Sequence, residues 1–226
     1  MKTTTHLLWI PLAAVVSFLT SLLFGDVLTL PLDVYYLIYF TVMFGFFYTY
    51  IRRTELNLMK WITPRLGWAV LAGILVGILM MKNVLSRPET AHFHGFQLWW
   101  SIFWRGIVYG LVDGLLLFAF PWVVTWRAFN AQKHRAFGKI RIALLAWIFT
   151  LVITTTYHLG YTDFRSQKIV QPNIGSTITI VPTLVTMNPV ASTLSHVFLH
   201  VTAVVHSPQT ELFLPPHRVS ESDSKQ

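Results

Sequence analysis

The chain reads as a succession of long apolar stretches separated by short polar ones. About 20 consecutive apolar residues are what a helix needs to cross a hydrocarbon core. The first run is Leu7 to Gly25, and the second extends from about Asp33 to Ile51, crowded with Tyr and Phe and closed by Arg52 and Arg53. A third spans Leu66 to Met81 before Lys82. The fourth runs from Phe96 to about Trp126, with Pro121 expected to bend its last turns, and the fifth from Ile142 to Leu159. The region from Ile174 to His206 is too long for one simple span. Its first half, Ser176-Thr177-Ile178-Thr179-Ile180, alternates as a strand or irregular segment does, and Asn188-Pro189 marks a break before the second half. The pattern predicts a short re-entrant or interfacial piece to Met187, then a helix from about Pro189 to Val205.

The expected architecture is therefore an all-α polytopic membrane bundle of about six transmembrane helices. It forms a single domain over residues 1–206, followed by a polar tail, 207–226, expected to be disordered and cytoplasmic. The first run, behind Lys2, also has the outline of a signal peptide, but Leu22-Leu23-Phe24-Gly25-Asp26 offers no small-x-small cleavage site. A retained first helix is the expectation.

Composition sharpens this reading. Of 226 residues, 54% are hydrophobic and only 12% charged, against roughly 25% charged in soluble domains, and the mean hydropathy is +0.56. The 15% of aromatic residues excludes a disordered chain. With no cysteine, disulfides, thiolate metal sites and cysteine nucleophiles are excluded. The net charge of +8 would suit nucleic acid, but its distribution argues otherwise. Arg52, Arg53, Lys60 and Arg65 fall between runs two and three, and Arg127, Lys133, Arg135, Lys139 and Arg141 between runs four and five. The turn between runs one and two has Asp26 and Asp33 and no cation. Basic loops on one side orient a membrane protein and sit against anionic lipid, so the partner is a bilayer and not nucleic acid. An even number of crossings would leave both termini in the cytoplasm, and the plasma membrane of a prokaryote is the expected location.

Polar side chains at depth are the candidates for chemistry, because burying them in hydrocarbon is costly unless they are paired. Arg105 and Asp113 lie in the fourth run with Tyr109 midway. All three fall near one helix face, the charged ends about 12 Å apart along the axis, bridged by Tyr109 or by another helix, or neutralising each other in the bundle. Gly106, Gly110 and Gly114, like Gly73 and Gly77, have the four-residue spacing that lets another backbone approach. His158 closes the fifth run. His196 and His200 share a face of the last helix, where the two imidazoles can converge on one ligand or divalent metal. His158 is expected near the outer surface, with His196 and Arg105 about 10 Å inside it. The simpler reading pairs these histidines with Ser, Thr or backbone groups. His92, His94, His206 and His217 are expected to be interfacial or solvated.

The order of these motifs resembles the CPBP family of CAAX-protease and bacteriocin-processing intramembrane proteins. That family carries Glu-Glu-x-x-x-Arg, then Phe-x-x-x-His, then His-x-x-x-Asn or a relative on successive helices. Here Trp100-Ser101-Ile102-Phe103-Trp104-Arg105 has the shape of the first motif, Thr154 to His158 of the second, and His196 to His200 of the third. The resemblance covers about half the chain, Phe96 to His206. It implies an intramembrane hydrolase acting on a membrane peptide or a prenylated or other hydrophobic substrate. The motif glutamates are replaced by Trp100 and Ser101, and neither can serve as a carboxylate base. In a hydrolase His158 and His196 would deliver water, His200 or Asp113 would replace the missing carboxylate, and Arg105 would position charge. A divalent metal on His196, His200 and Asp113 is one variant. The alternatives are a non-catalytic binding or chaperoning scaffold of the same fold and a small proton-coupled transporter.

Overall fold

The computed structural model describes residues 3–209 and 213–215. It is all-helical, as expected. Five helices are long and apolar enough to cross a membrane: α1, Thr3–Val27; α2, Leu32–Thr54; α3, Leu66–Leu85; α4, Gly95–Ala128; and α5, Ala136–Leu159. Two 17-residue helices come next in the chain, α6, Val170–Thr186, and α7, Val190–His206, each at the short end of what spans a bilayer. Apolar side chains such as Leu12, Leu75 and Ile148 stand exposed on the outer faces, as contact with lipid requires.

The helices alternate in direction, which the contacts at their ends establish. Thr3 Oγ1 donates to the Ala128 carbonyl at 2.9 Å. Arg127 bonds Thr54 at the end of α2, and Asn188 Nδ2 donates to the carbonyls of Ile62 and Pro64 at 2.8 and 2.7 Å. These segments share one end, which carries both basic loops. At the other end Asp26 accepts from the backbone and hydroxyl of Thr162, both at 2.8 Å, and His206 Nε2 lies 2.9 Å from the Arg87 carbonyl. The start of α1 and the end of α7 therefore lie at opposite ends of the bundle. The sequence pattern places both termini at one end; α6 instead runs from one end of the bundle to the other as a helix and so reverses the direction of α7.

The segment Ser176–Ile180 is helical and not strand-like. Ser176, Thr179, Thr183 and Thr186 are buried, while Ile174, Val181 and Val185 are exposed. This is the helical period with its polarity inverted, hydroxyls inward and aliphatics toward lipid. The hydroxyls find partners on several elements: Ser176 with Thr154 on α5 at 3.0 Å, Thr183 accepting from the Ser192 backbone on α7 at 3.1 Å, and Thr186 donating to the Pro182 carbonyl of its own helix at 2.6 Å. The five-residue alternation was too short a window to show this. α4 continues through Pro121 to Ala128, with a π-helical stretch, Leu115–Ala119, just before the proline.

α7 is wedged between α3 and α4. A Cβ added at Gly73 would stand 2.7 Å from the Ala191 carbonyl, and one at Gly77 would stand 2.8 Å from the Phe198 ring. On the other side, Gly110 and Gly114 would place a Cβ 3.1 and 3.2 Å from the Cα atoms of Val197 and Thr193. Both glycine faces thus serve the close helix approach expected of them, and Ser195 Oγ adds a bond to the Gly73 carbonyl at 3.0 Å. α1 is part of the core through Ile10 and Ala13, and Ser21 Oγ donates to the Tyr157 carbonyl at 2.8 Å. Beyond α7, Phe213 and Leu214 are buried against Met80, Val84 and Leu199, so this part of the tail packs on the bundle. His217 and the remainder of the tail lie outside the described residues.

Candidate metal centre

Asp113 and the two histidines of α7 meet. π-helical stretches on either side, Ile102–Val108 and Leu115–Ala119, flank the α-helical piece Tyr109–Gly114 that presents Asp113. Such widened turns are rare and often accompany functional sites. The adjacent glycines admit α7 so closely that its inward histidines reach the carboxylate. His196 Nε2 lies 2.8 Å from Asp113 Oδ2, His200 Nε2 lies 3.0 Å from His196 Nε2, and His200 Nε2 is 3.9 Å from the same carboxylate oxygen. All three residues are buried. The other oxygen, Oδ1, accepts from the Tyr39 hydroxyl at 2.8 Å.

Counting protons shows what the cluster lacks. Two imidazole Nε2 atoms and one carboxylate oxygen converge, and each accepts unless protonated. One proton on His196 Nε2 serves either Asp113 or His200, not both. The three separations bracket the edge of about 3.3 Å between ligands in a tetrahedral centre with bonds near 2.0 Å. Among the described residues this is the group of His and carboxylate side chains with ligand atoms close enough to hold one ion. It makes three protein ligands, the number that leaves a coordination position open. The His196 and His200 Nδ1 atoms have no hydrogen-bond partner among the described residues.

The cluster lies on the wall of a cavity of about 520 Å³ that also takes in His158, Tyr109, Tyr157 and Tyr161. His158 Nδ1 donates to the Thr154 carbonyl at 2.8 Å. A carbonyl only accepts, so Nδ1 carries the proton and Nε2 keeps its lone pair. The tyrosines form a phenol network. Tyr161 donates to Tyr35 at 2.6 Å, and Tyr157 lies 2.7 Å from Tyr109 and 3.3 Å from Tyr35. The Tyr109 ring also stands edge-on to His200, 4.9 Å between centroids.

Arg105 belongs elsewhere. It makes a two-pronged ion pair with Asp33 in the first turn of α2, 2.9 and 3.1 Å, and it does not line the cavity. Neither the bridge through Tyr109 nor neutralisation by Asp113 forms, because a nearer carboxylate is available across the helix interface. Trp100 is exposed and stacks on Trp104, 5.7 Å between centroids, while Ser101 is buried with its hydroxyl unpaired. Of the histidines expected at the interface, His92 is exposed, whereas His206 is buried beside the Arg87 carbonyl. No known family, curated protein or solved structure matches this chain.

Sequence reasoning missed Tyr39, Tyr35, Tyr157, Tyr161 and Asp33. A signal existed for two of them: Tyr35 and Tyr39 lie four apart in an apolar run, so their hydroxyls share one helix face.

Proposed function

We propose that this integral membrane protein is a metal-dependent intramembrane hydrolase, with Asp113, His196 and His200 holding a divalent ion on the wall of the cavity. The observation that carries the reading is the convergence of Oδ2 and two Nε2 atoms within 2.8 to 3.9 Å, a set of acceptors that a cation satisfies and a single proton does not. The ion, when bound, supplies Lewis-acid polarisation. His158, with an unprotonated Nε2, takes a proton from the attacking water and returns it to the leaving group as the scissile bond breaks. Tyr109 and Tyr157 offer hydroxyls to developing negative charge. The base role that the CPBP-like pattern leaves vacant at Trp100 and Ser101 falls to His158, with Asp113 kept as a ligand of the ion. The substrate is membrane-borne, since exposed aliphatic side chains such as Leu79 and Ile174 edge the cavity. The end bearing the two basic loops faces the cytoplasm, and the end of α7 faces away from it.

Purified protein is expected to hold about one divalent ion per chain, and Asp113→Asn or His200→Ala to lose it. His158→Ala is expected to keep the metal and to lose cleavage of a fluorogenic membrane peptide or ester. Metal content unchanged in Asp113→Asn, or turnover unchanged in His158→Ala, overturns the reading.

A second reading, a non-catalytic binding scaffold, is favoured by the two Nδ1 atoms without acceptors, since metal-ligating histidines normally donate that proton to a partner. It expects ligand retention without turnover, and equal retention in His158→Ala.

A further inference from the structure

The cavity has a charge that the metal cluster alone does not explain. Two cations, Lys82 and Arg87, both exposed, stand among its lining residues with Asn83 and Gln171. Asp113 is the sole acidic residue on the lining among the described residues, and it is committed to His196 and Tyr39. Neither Lys82 nor Arg87 makes an ion pair among the described residues. With neutral imidazoles, the lining carries one net positive charge without the ion and three with a divalent ion bound. With the ion bound, a single carboxylate would leave most of this uncompensated, whereas a phosphate monoester brings about −1.5 to −2 and offers acceptor oxygens to both cations. Leu117, Phe118, Ile178 and Leu199 add apolar wall beside the tyrosines, Ser176 and Thr179. The side toward lipid is edged by Leu79 on α3 and Ile174 on α6, half or more exposed, and Phe213 and Leu214 cover another side. A volume of about 520 Å³ is within the usual range for a small-molecule site of about 300–1,000 Å³. It accommodates a head and the first part of a chain, and a longer chain would have to leave between α3 and α6.

We propose that the cavity binds a membrane amphiphile with a phosphate-ester head, the head held between Lys82, Arg87 and the Asp113–His196–His200 cluster, and the chain running out to lipid past Leu79 and Ile174. The proposal rests in part on the metal reading above, and the experiment separates the two. Protein reconstituted in nanodiscs of phosphatidylcholine would be titrated with short-chain phosphatidic acid, with diacylglycerol of the same chains, and with inorganic phosphate. Bound lipid would be read by native mass spectrometry and metal by elemental analysis on the same samples. Phosphatidic acid is expected to bind, diacylglycerol to bind far more weakly, and Lys82→Gln and Arg87→Gln each to weaken phosphatidic acid by about fivefold, the effect of about 1 kcal/mol per membrane-proximal cation. Both substitutions are at exposed positions, and the Arg87 group that His206 bonds is its carbonyl, so the fold survives them. Equal binding of the two lipids, or no change in the Gln variants, overturns the proposal even if the metal is present. Inorganic phosphate competing as well as the lipid overturns the amphiphile and leaves a soluble phosphate ligand. Discrimination between the lipids with no metal in any sample supports the headgroup site while overturning the metal reading.

Discussion

Asp113 has few carboxylate alternatives in the membrane part of this chain, and the atoms around it decide what it can do. Its Oδ1 takes the Tyr39 proton and its Oδ2 faces two imidazoles. Tyr39→Phe removes that donor from a fully buried carboxylate. It is expected to lower stability by about 1–3 kcal/mol, the cost of an unmet buried hydrogen bond, and to weaken metal retention by about tenfold or more, read by thermal unfolding and by elemental analysis. Arg105→Gln is expected to behave differently. Asp33 is 43% exposed, so solvent replaces much of what the guanidinium gives, and the cost is about 1 kcal/mol or less with metal content unchanged. A loss of metal in this variant would tie Arg105 to the site after all. At this scale the sequence revealed which residues were out of place in an apolar run, and so Asp113, His196, His200 and Arg105 were all legible. It brought His196 and His200 to one helix face and offered Asp113 as a third ligand, but it did not give the partner of Arg105. The partner of Arg105 is 72 residues away in the chain, and the choice between Asp33 and Asp113 depends on helix packing that no spacing rule contains. The phenols stayed hidden because tyrosine is ordinary in membrane helices, and only its hydroxyl partners make it special.

Among the elements, α6 and α7 show how a membrane reverses familiar patterns. In α6 the buried face is Ser and Thr and the exposed face aliphatic, so a rule that places apolar residues inside turns the helix the wrong way round. The other long runs were legible because length and apolarity suffice there, whatever the face. The glycine spacings were legible too, since no other side chain is small enough for backbones to approach. What they could not name was the partner, one helix serving both glycine faces. Gly110→Val is expected to be strongly destabilising, since even a Cβ would meet the Val197 Cα and the His200 side chain at 3.1 to 3.3 Å in a well-packed interior. Overpacking of this kind costs about 1–3 kcal/mol. Because the strain falls on His200, metal retention should drop along with stability. Gly45→Ala in α2 has nothing within 4 Å of the added atom and is expected to leave both unchanged.

The whole molecule is polarised along its axis. One end carries nine Lys and Arg in two loops, from Arg52 to Arg65 and from Arg127 to Arg141, and the cavity with His158, Lys82 and Arg87 belongs to the other end. The absence of cysteine gives a clean background for labelling. Gln132→Cys is expected to react with an impermeant maleimide only after the cells are opened, and Thr90→Cys to react in intact cells. Labelling of both from one side would contradict a membrane crossing by α4. Charge bias suggests an orientation for the loops, while the direction of α7 turned on a single segment, Val170 to Thr186, whose polar helical face resembled an irregular one. The wedge position of α7 also bears on how the protein is made. It leaves the ribosome after the six helices before it, yet it lies between the third and fourth, against Gly73 on one side and Gly110 on the other. Nascent chains that have not yet reached residue 190 hold one of the three ligand residues and a vacant slot. The cluster of Asp113, His196 and His200 therefore forms only once α7 has taken its place between α3 and α4.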